Sequence, residues 1–280
     1  MIKPSNQPNQ SQNHDDGGIT FEVVELETAQ NARQGDNKLS RGVYLVPNLI
    51  TTASMLCAFF SIISSSEGAY YKAALAIFLS AVLDGMDGRA ARMLDAQSPF
   101  GEQFDSLADC VAFGLAPAVL VYQFALHGLG RFGLACAFVF SACAAFRLAR
   151  FNVQVDVVDK KYFIGLASPL AAILIASSVM MAIDHTNWLG SVGTHIGLAE
   201  FIFAVWTVMC GLLMVSNVKY YSFKEFDRQK VPFVALIIGV FVMGAVLYDL
   251  PVGILAIGMV YALSGIVTTI LTKTKASRQK

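Results

Sequence analysis

The 280-residue chain is poor in charge: Asp, Glu, Lys and Arg make up 14% of it, against 55% hydrophobic residues and a mean hydropathy of +0.57. A soluble globular domain carries about a quarter charged residues, so this scarcity excludes an ordinary soluble enzyme. The charge that remains cancels, 20 basic residues against 20 acidic ones. No electrostatic footprint of a nucleic-acid binder is left, and no nucleic acid is expected as partner. Cysteine is sparse too. Cys57, Cys110, Cys136, Cys143 and Cys210 are scattered through apolar stretches without metal-ligand spacing, and read as helix-packing residues. The four histidines, His14, His127, His185 and His195, all lie apart from the acidic segment described below, which argues against histidine catalysis. No internal repeat suggests inverted transporter halves. The first 45 residues lack the basic flank and apolar core of a secretory signal, and their Asn, Gln and Asp read as a polar soluble tail.

Long apolar runs, by contrast, are plentiful. From Tyr44 onward they recur at about 46–67, 69–88, 106–127, 130–150, 166–184, 197–218, 231–248 and 251–271. Each is near the roughly 20 residues a helix needs to cross about 30 Å of hydrocarbon. The pattern predicts an all-α integral membrane protein with about eight transmembrane helices over 46–271, preceded by the polar tail 1–45 and followed by a basic tail, 272–280. Lys and Arg in short connections mark the cytoplasmic side. An alternating path puts all of them there except Lys72 and Arg131, so both termini are expected in the cytoplasm. Lys219 and Lys224, at helix ends, are expected to snorkel to headgroups.

Two of the apolar runs are compromised by LDGMDGRAARMLDAQSPFGEQFDSLADC, residues 83–110. Asp84 and Asp87 are three apart and Asp105 and Asp109 four apart, spacings that put each pair on one helix face. Ser98, Pro99 and Gly101 between the pairs suit a tight reversal. The expectation is an antiparallel helix pair presenting four carboxylates to one another near the cytoplasmic membrane surface. Such carboxylates repel unless a cation neutralises them, and Mg²⁺ or Mn²⁺ bound through carboxylates and substrate phosphate does this well. Gly85, Gly88, Ala91 and Gly101 leave room for a ligand, and Arg92 or Arg89 is placed to meet phosphate. The bland alternatives are loop-end charges paired with Arg89 and Arg92, or an ion pathway through a transporter. Two phased pairs interleaved with glycines and arginines favour the ligand site.

The order Asp84, two residues, Asp87-Gly88, two residues, Ala91-Arg92, eight residues, Gly101, three residues, Asp105, three residues, Asp109 resembles the signature of the CDP-alcohol phosphatidyltransferase family. PNLIT at 47–51, RLARFN at 147–152, FIGLASP at 163–169 and LMVSNVKYYSFK at 213–224 look like its bacterial, serine-using branch, with Ala167 where a Pro is usual. The resemblance implies a homodimer in the bacterial inner membrane, and a site of two ions, Mg²⁺ or Mn²⁺, held by Asp84, Asp87, Asp105 and Asp109. Asp109 would also take the proton of the acceptor hydroxyl. It further implies that Asn48, Thr51, Gly88, Ala91, Arg92 and Gly101 bind CDP-diacylglycerol, and that L-serine displaces CMP. Asn48 and Thr51 also suit a helix start.

Arg147, Arg150 and Asn152 are candidates for the carboxylate of serine or for phosphate, since arginine suits bidentate contacts to either. They equally suit positive-inside anchoring without a ligand. Glycerol 3-phosphate, inositol phosphate or choline remain as other acceptors, because the four aspartates do not choose among them.

Overall fold

The computed structural model describes residues 45–154, 162–185, 197–221, 244 and 248–278. The expected polar tail, nearly all of the expected run 231–248, and His14, His195 and Lys224 lie outside them.

The first two helices, α1 (Leu45–Ser66) and α2 (Tyr70–Met93), form an antiparallel pair. Thr51, Ser54, Ala58, Ser61 and Ser65 recur every three or four residues as a buried stripe on α1, and Ala73, Ile77, Ser80 and Asp87 mark the stripe of α2. Small side chains let the two backbones approach. Ser54 and Ser80 fasten the crossing: their hydroxyls lie 2.8 Å apart, each within 3.0 to 3.1 Å of the other residue's carbonyl oxygen. The connection turns at Gly68, φ +79°, where the Gly68 and Ala69 N–H groups donate to the Ser65 and Ser64 carbonyls. The start of α1 therefore lies beside the end of α2.

The chain next enters α3 (Pro99–Asp109), where Ser98 caps the helix by accepting from the Gly101 N–H at 3.0 Å and Pro99 fills the first turn. Helical winding continues past Asp109 but changes pitch. Cys110–Leu115 is a π-helix, α4 (Ala116–Val121) is regular, Tyr122–Leu126 is again π, and His127–Leu129 is a 3-10 turn. At Gly130, φ +57°, the chain reverses, and α5 (Gly130–Gln154) runs back against both π segments. Close approach of the two arms requires glycine at 133, because a Cβ there would collide with the Leu126 carbonyl.

Strand β1 (Tyr162–Ile164) pairs antiparallel with β2 (Lys219–Tyr221), Phe163 opposite Tyr220. Between them lie α6 (Ser168–Asp184) and α7 (Leu198–Val215); α8 (Leu250–Arg278) follows. Helix α6 is the centre of the packing. Leu174 and Ile175 belong to one apolar cluster with Phe140, Leu166 and Met214, while Ala176, Val179 and Met180 join Ile77, Phe113 and Leu120 in a second. A helix that is apolar on all sides is buried by protein.

The expectation of about eight transmembrane helices is corrected. Among the described residues four helical runs are long and apolar enough to cross a membrane: Leu45–Ser66, Pro99–Val153, Leu198–Val215 and Leu250–Thr269. The expected runs 106–127 and 130–150 fall inside one 55-residue helical stretch that folds back at Gly130. Helix α2 carries Lys72, Asp84, Asp87, Arg89 and Arg92, too many charges for a simple span, and α6 is only 17 residues long and lies mostly inside the protein. The β1–β2 ribbon is a small addition to an otherwise helical membrane protein.

Replacing Gly133 with Ala is expected to destabilise the protein by about 1–3 kcal/mol, the usual cost of overpacking. A drop in the thermal midpoint of the detergent-solubilised protein checks this; an unchanged midpoint would show that the reversal tolerates a Cβ.

Candidate active site

The buried stripe of α2 continues one turn at a time from Ser80 to Asp84 and Asp87, and α3 brings Asp105 and Asp109 alongside. Carboxylate oxygens of Asp84, Asp105 and Asp109 lie within 4.8 Å of one another. Asp105 Oδ1 is buried with no partner among the described residues. A buried polar atom without a partner calls for a ligand, and three converging carboxylate oxygens suit a hard divalent cation. The residues present therefore fit a metal, and the trio is capable of coordinating one.

Asp87 stands outside the trio. It is only 4% exposed, and its Oδ2 accepts from the Thr51 hydroxyl at 2.8 Å. The same hydroxyl lies 3.1 Å from the Pro47 carbonyl in the first turn of α1. Thr51 is thus an orienting partner of Asp87 before it is anything else.

Beside the carboxylates opens a cleft lined by Asn48, Thr51, Asp87, Gly88, Ala91, Gly101 and Asp105, residues expected together from the sequence, and also by Pro47, Ala96, Gln97, Ser98 and Glu102. Its empty volume of about 570 Å³ includes space open to solvent, as a site filled from the membrane surface requires. A Cβ on Gly88 would meet nothing within 4 Å, whereas one on Gly101 would come within 3.3 Å of Asn48 Oδ1. Gly101 thus sits in close contact with the start of α1, whereas Gly88 leaves open space among the described residues. Arg92 is exposed on the last turn of α2 and is not among the cleft-lining residues, although Ala91 beside it is.

The three candidates at the end of α5 have different neighbours. Arg147 Nη1 donates to Ser168 Oγ at 2.9 Å, and its Nε is buried without a partner among the described residues. Arg150 Nη2 donates to Asn217 Oδ1 at 2.9 Å and its Nη1 approaches the Val215 carbonyl, so it closes the end of α7. Asn152 Nδ2 donates to Ser106 Oγ at 2.8 Å, tying α5 to the turn of α3 between Asp105 and Asp109. Ser106, Ser168 and Asn217 were not singled out by sequence reasoning. Ser106 lies between two aspartates of the signature, while Ser168 and Asn217 lie in the FIGLASP and LMVSNVKYYSFK pieces, which was the available signal.

With this geometry in view, comparison with known proteins matches residues 44–206 to the CDP-alcohol phosphatidyltransferase family. The chain belongs to that family and is an enzyme of the phosphatidyltransferase type. It is 38% identical over 183 residues to a CDP-diacylglycerol–serine O-phosphatidyltransferase of Helicobacter pylori, covering 65% of this chain and 74% of that protein. A protein of the same description from Bacillus subtilis is 35% identical over 182 residues, 64% of this chain and 92% of its own length. One from Methanocaldococcus jannaschii is 33% identical over 144 residues, covering 51% and 61%.

Orientation of a ligating carboxylate by a neighbour typically changes metal affinity 10–100-fold. Thr51→Val keeps the shape and removes the donor to Asp87, so about tenfold more Mg²⁺ or Mn²⁺ is expected to be needed to half-saturate the metal's protection against heat. An unchanged half-saturation would show that Asp87 orientation plays no part in metal binding.

Proposed function

We propose that the protein transfers the phosphatidyl group of CDP-diacylglycerol to the hydroxyl of L-serine, giving phosphatidylserine and CMP. The observation that carries this reading is the metal-capable trio, whose Asp105 lines a cleft together with Asn48, Thr51, Gly88, Ala91 and Gly101, in a chain whose relatives from two bacteria and an archaeon are all named for serine as acceptor. The cleft residues Asn48, Thr51, Gly88, Ala91 and Gly101 hold the nucleotide end of the donor, its acyl chains staying in hydrocarbon. Asp84, Asp87, Asp105 and Asp109 would hold divalent metal, two ions of Mg²⁺ or Mn²⁺, which would supply charge neutralisation for the pyrophosphate.

The protein's own residues do the rest. Asp109 accepts the proton of the serine hydroxyl, whose oxygen bonds to the phosphorus carrying diacylglycerol as the bond to the CMP oxygen breaks. No protein nucleophile is needed. Arg92, exposed on the last turn of α2, meets the phosphates of the bound lipid. The distribution of Lys and Arg supports an active site and termini on the cytoplasmic face of a bacterial inner membrane, with 1–45 and 272–280 as tails of the domain 46–271, and the working unit is a homodimer.

The test supplies purified protein with CDP-diacylglycerol and Mg²⁺ or Mn²⁺, offers serine, glycerol 3-phosphate, inositol phosphate or choline separately, and measures CMP and lipid product. Serine-dependent phosphatidylserine formation is expected, reduced at least about 10²-fold in Asp109→Asn, the lower range for loss of a general base. Turnover only with another acceptor overturns the serine reading, and full activity of Asp109→Asn overturns the base.

A further inference from the structure

Three polar side chains at the end of α5 were equivalent in the sequence, and their contacts now sort them. Arg150 is fastened to the C-terminal end of α7, where a cation is favoured by the helix dipole, and Asn152 braces α3 through Ser106. Arg147 differs. Its one hydrogen bond among the described contacts goes to Ser168, the fully buried first residue of α6. A guanidinium at the N-terminal end of a helix opposes the helix dipole, so the contact is poorly explained as support for α6. Arg147 nevertheless sits five residues before Asn152, which ties this end of α5 to Ser106 in the turn between Asp105 and Asp109, and its Nε is buried without a partner among the described residues.

We infer that Ser168 is a positioning residue: its hydroxyl holds one Nη of Arg147, leaving the remaining guanidinium donors free to take the carboxylate of the amino-acid acceptor beside Asp109. This rests on the serine reading above. A guanidinium has five N–H donors in a planar fork and binds carboxylates bidentately, so one Nη can be anchored while others meet the ligand. Anchoring also reduces the side-chain entropy lost when serine binds. The arrangement separates two tasks: Asp109 handles the hydroxyl end of the acceptor, and Arg147, steadied by Ser168, handles its carboxylate.

A double-mutant cycle in the full-length protein tests this. Ser168→Ala is expected to raise KM for serine about tenfold, with kcat and KM for CDP-diacylglycerol changed less than about twofold, the pattern of lost acceptor binding. In an Arg147→Gln background the same substitution is expected to change KM for serine by less than about twofold, because its effect runs through Arg147. Ser168→Cys, nearly the same size and a poor acceptor, replaces the alanine variant if the thermal midpoint shows that the latter is unfolded. An unchanged KM for serine, equal losses in every kinetic constant, or an undiminished effect in the Arg147→Gln background overturns the proposal. Wild-type turnover with glycerol 3-phosphate instead of serine marks failure of the serine reading alone, and the same cycle on that acceptor's KM then decides the role of Ser168. Turnover with choline alone overturns both, since it offers Arg147 no anion.

Discussion

The mutual repulsion of three carboxylates governs this structure. Oxygens of Asp84, Asp105 and Asp109 converge within 4.8 Å, and two unit charges about 4 Å apart repel by about 4 kcal/mol at an effective dielectric near 20. Three such pairs approach the whole net stability of a domain, about 5–15 kcal/mol. Shared protons or a bound cation must offset most of that, and the backbones that carry the aspartates must be stiff enough not to spread. The Ser98 cap, and the Ser54–Ser80 and Asn152–Ser106 bonds to α1 and α5, act on α2 and α3, the two helices that carry the trio. They hold the helices where the charges alone would push them apart.

The same constraint explains the irregular winding after Asp109. A regular helix would carry every side chain of α3 and α4 along one fixed spiral, whereas the π segment Cys110–Leu115 turns the chain's apolar face afresh just past the last aspartate. Asp105 and Asp109 can then face α2 while Phe113 and Ala116 face the apolar cluster formed with α6. Wide turns of this kind are frequent at functional sites, and here the change of pitch coincides with the change from charged to apolar packing.

Legibility followed the range of the interactions. Spacings of three and four placed the aspartates in pairs without any tertiary information, and the reversal at Ser98 and Pro99 was written in local turn chemistry. The grouping of Asn48 and Thr51 with Gly88 and Gly101 was legible only through the family resemblance, since α1 and α3 are far apart in sequence. The number of membrane-length helices was not legible. Hydropathy sees two apolar runs at 106–127 and 130–150 but not the continuous winding that joins them, and it does not distinguish α6, surrounded by protein, from a helix surrounded by lipid. Nor did pattern separate Arg147 from Arg150. They are three residues apart on one helix, yet their partners stand 21 and 67 residues away along the chain.

Helix α2 finally shows why so little charge suffices. Its first part, through Ser80, packs apolar and small residues against α1 and α6, and its last part, from Asp84 to Arg92, carries two carboxylates, two arginines and the glycines that leave the cleft open. One helix thus meets two opposed solvent demands in succession, and the changeover falls at Asp84. A donor whose acyl chains require hydrocarbon and whose pyrophosphate requires cations can satisfy both only at such a changeover, and an acceptor arriving from water meets it there. Charge deeper in α2 would burden the packing with α1 and α6, and charge farther out would leave the pyrophosphate stranded in water. The scarcity of charged residues is therefore a consequence of where the reaction has to occur.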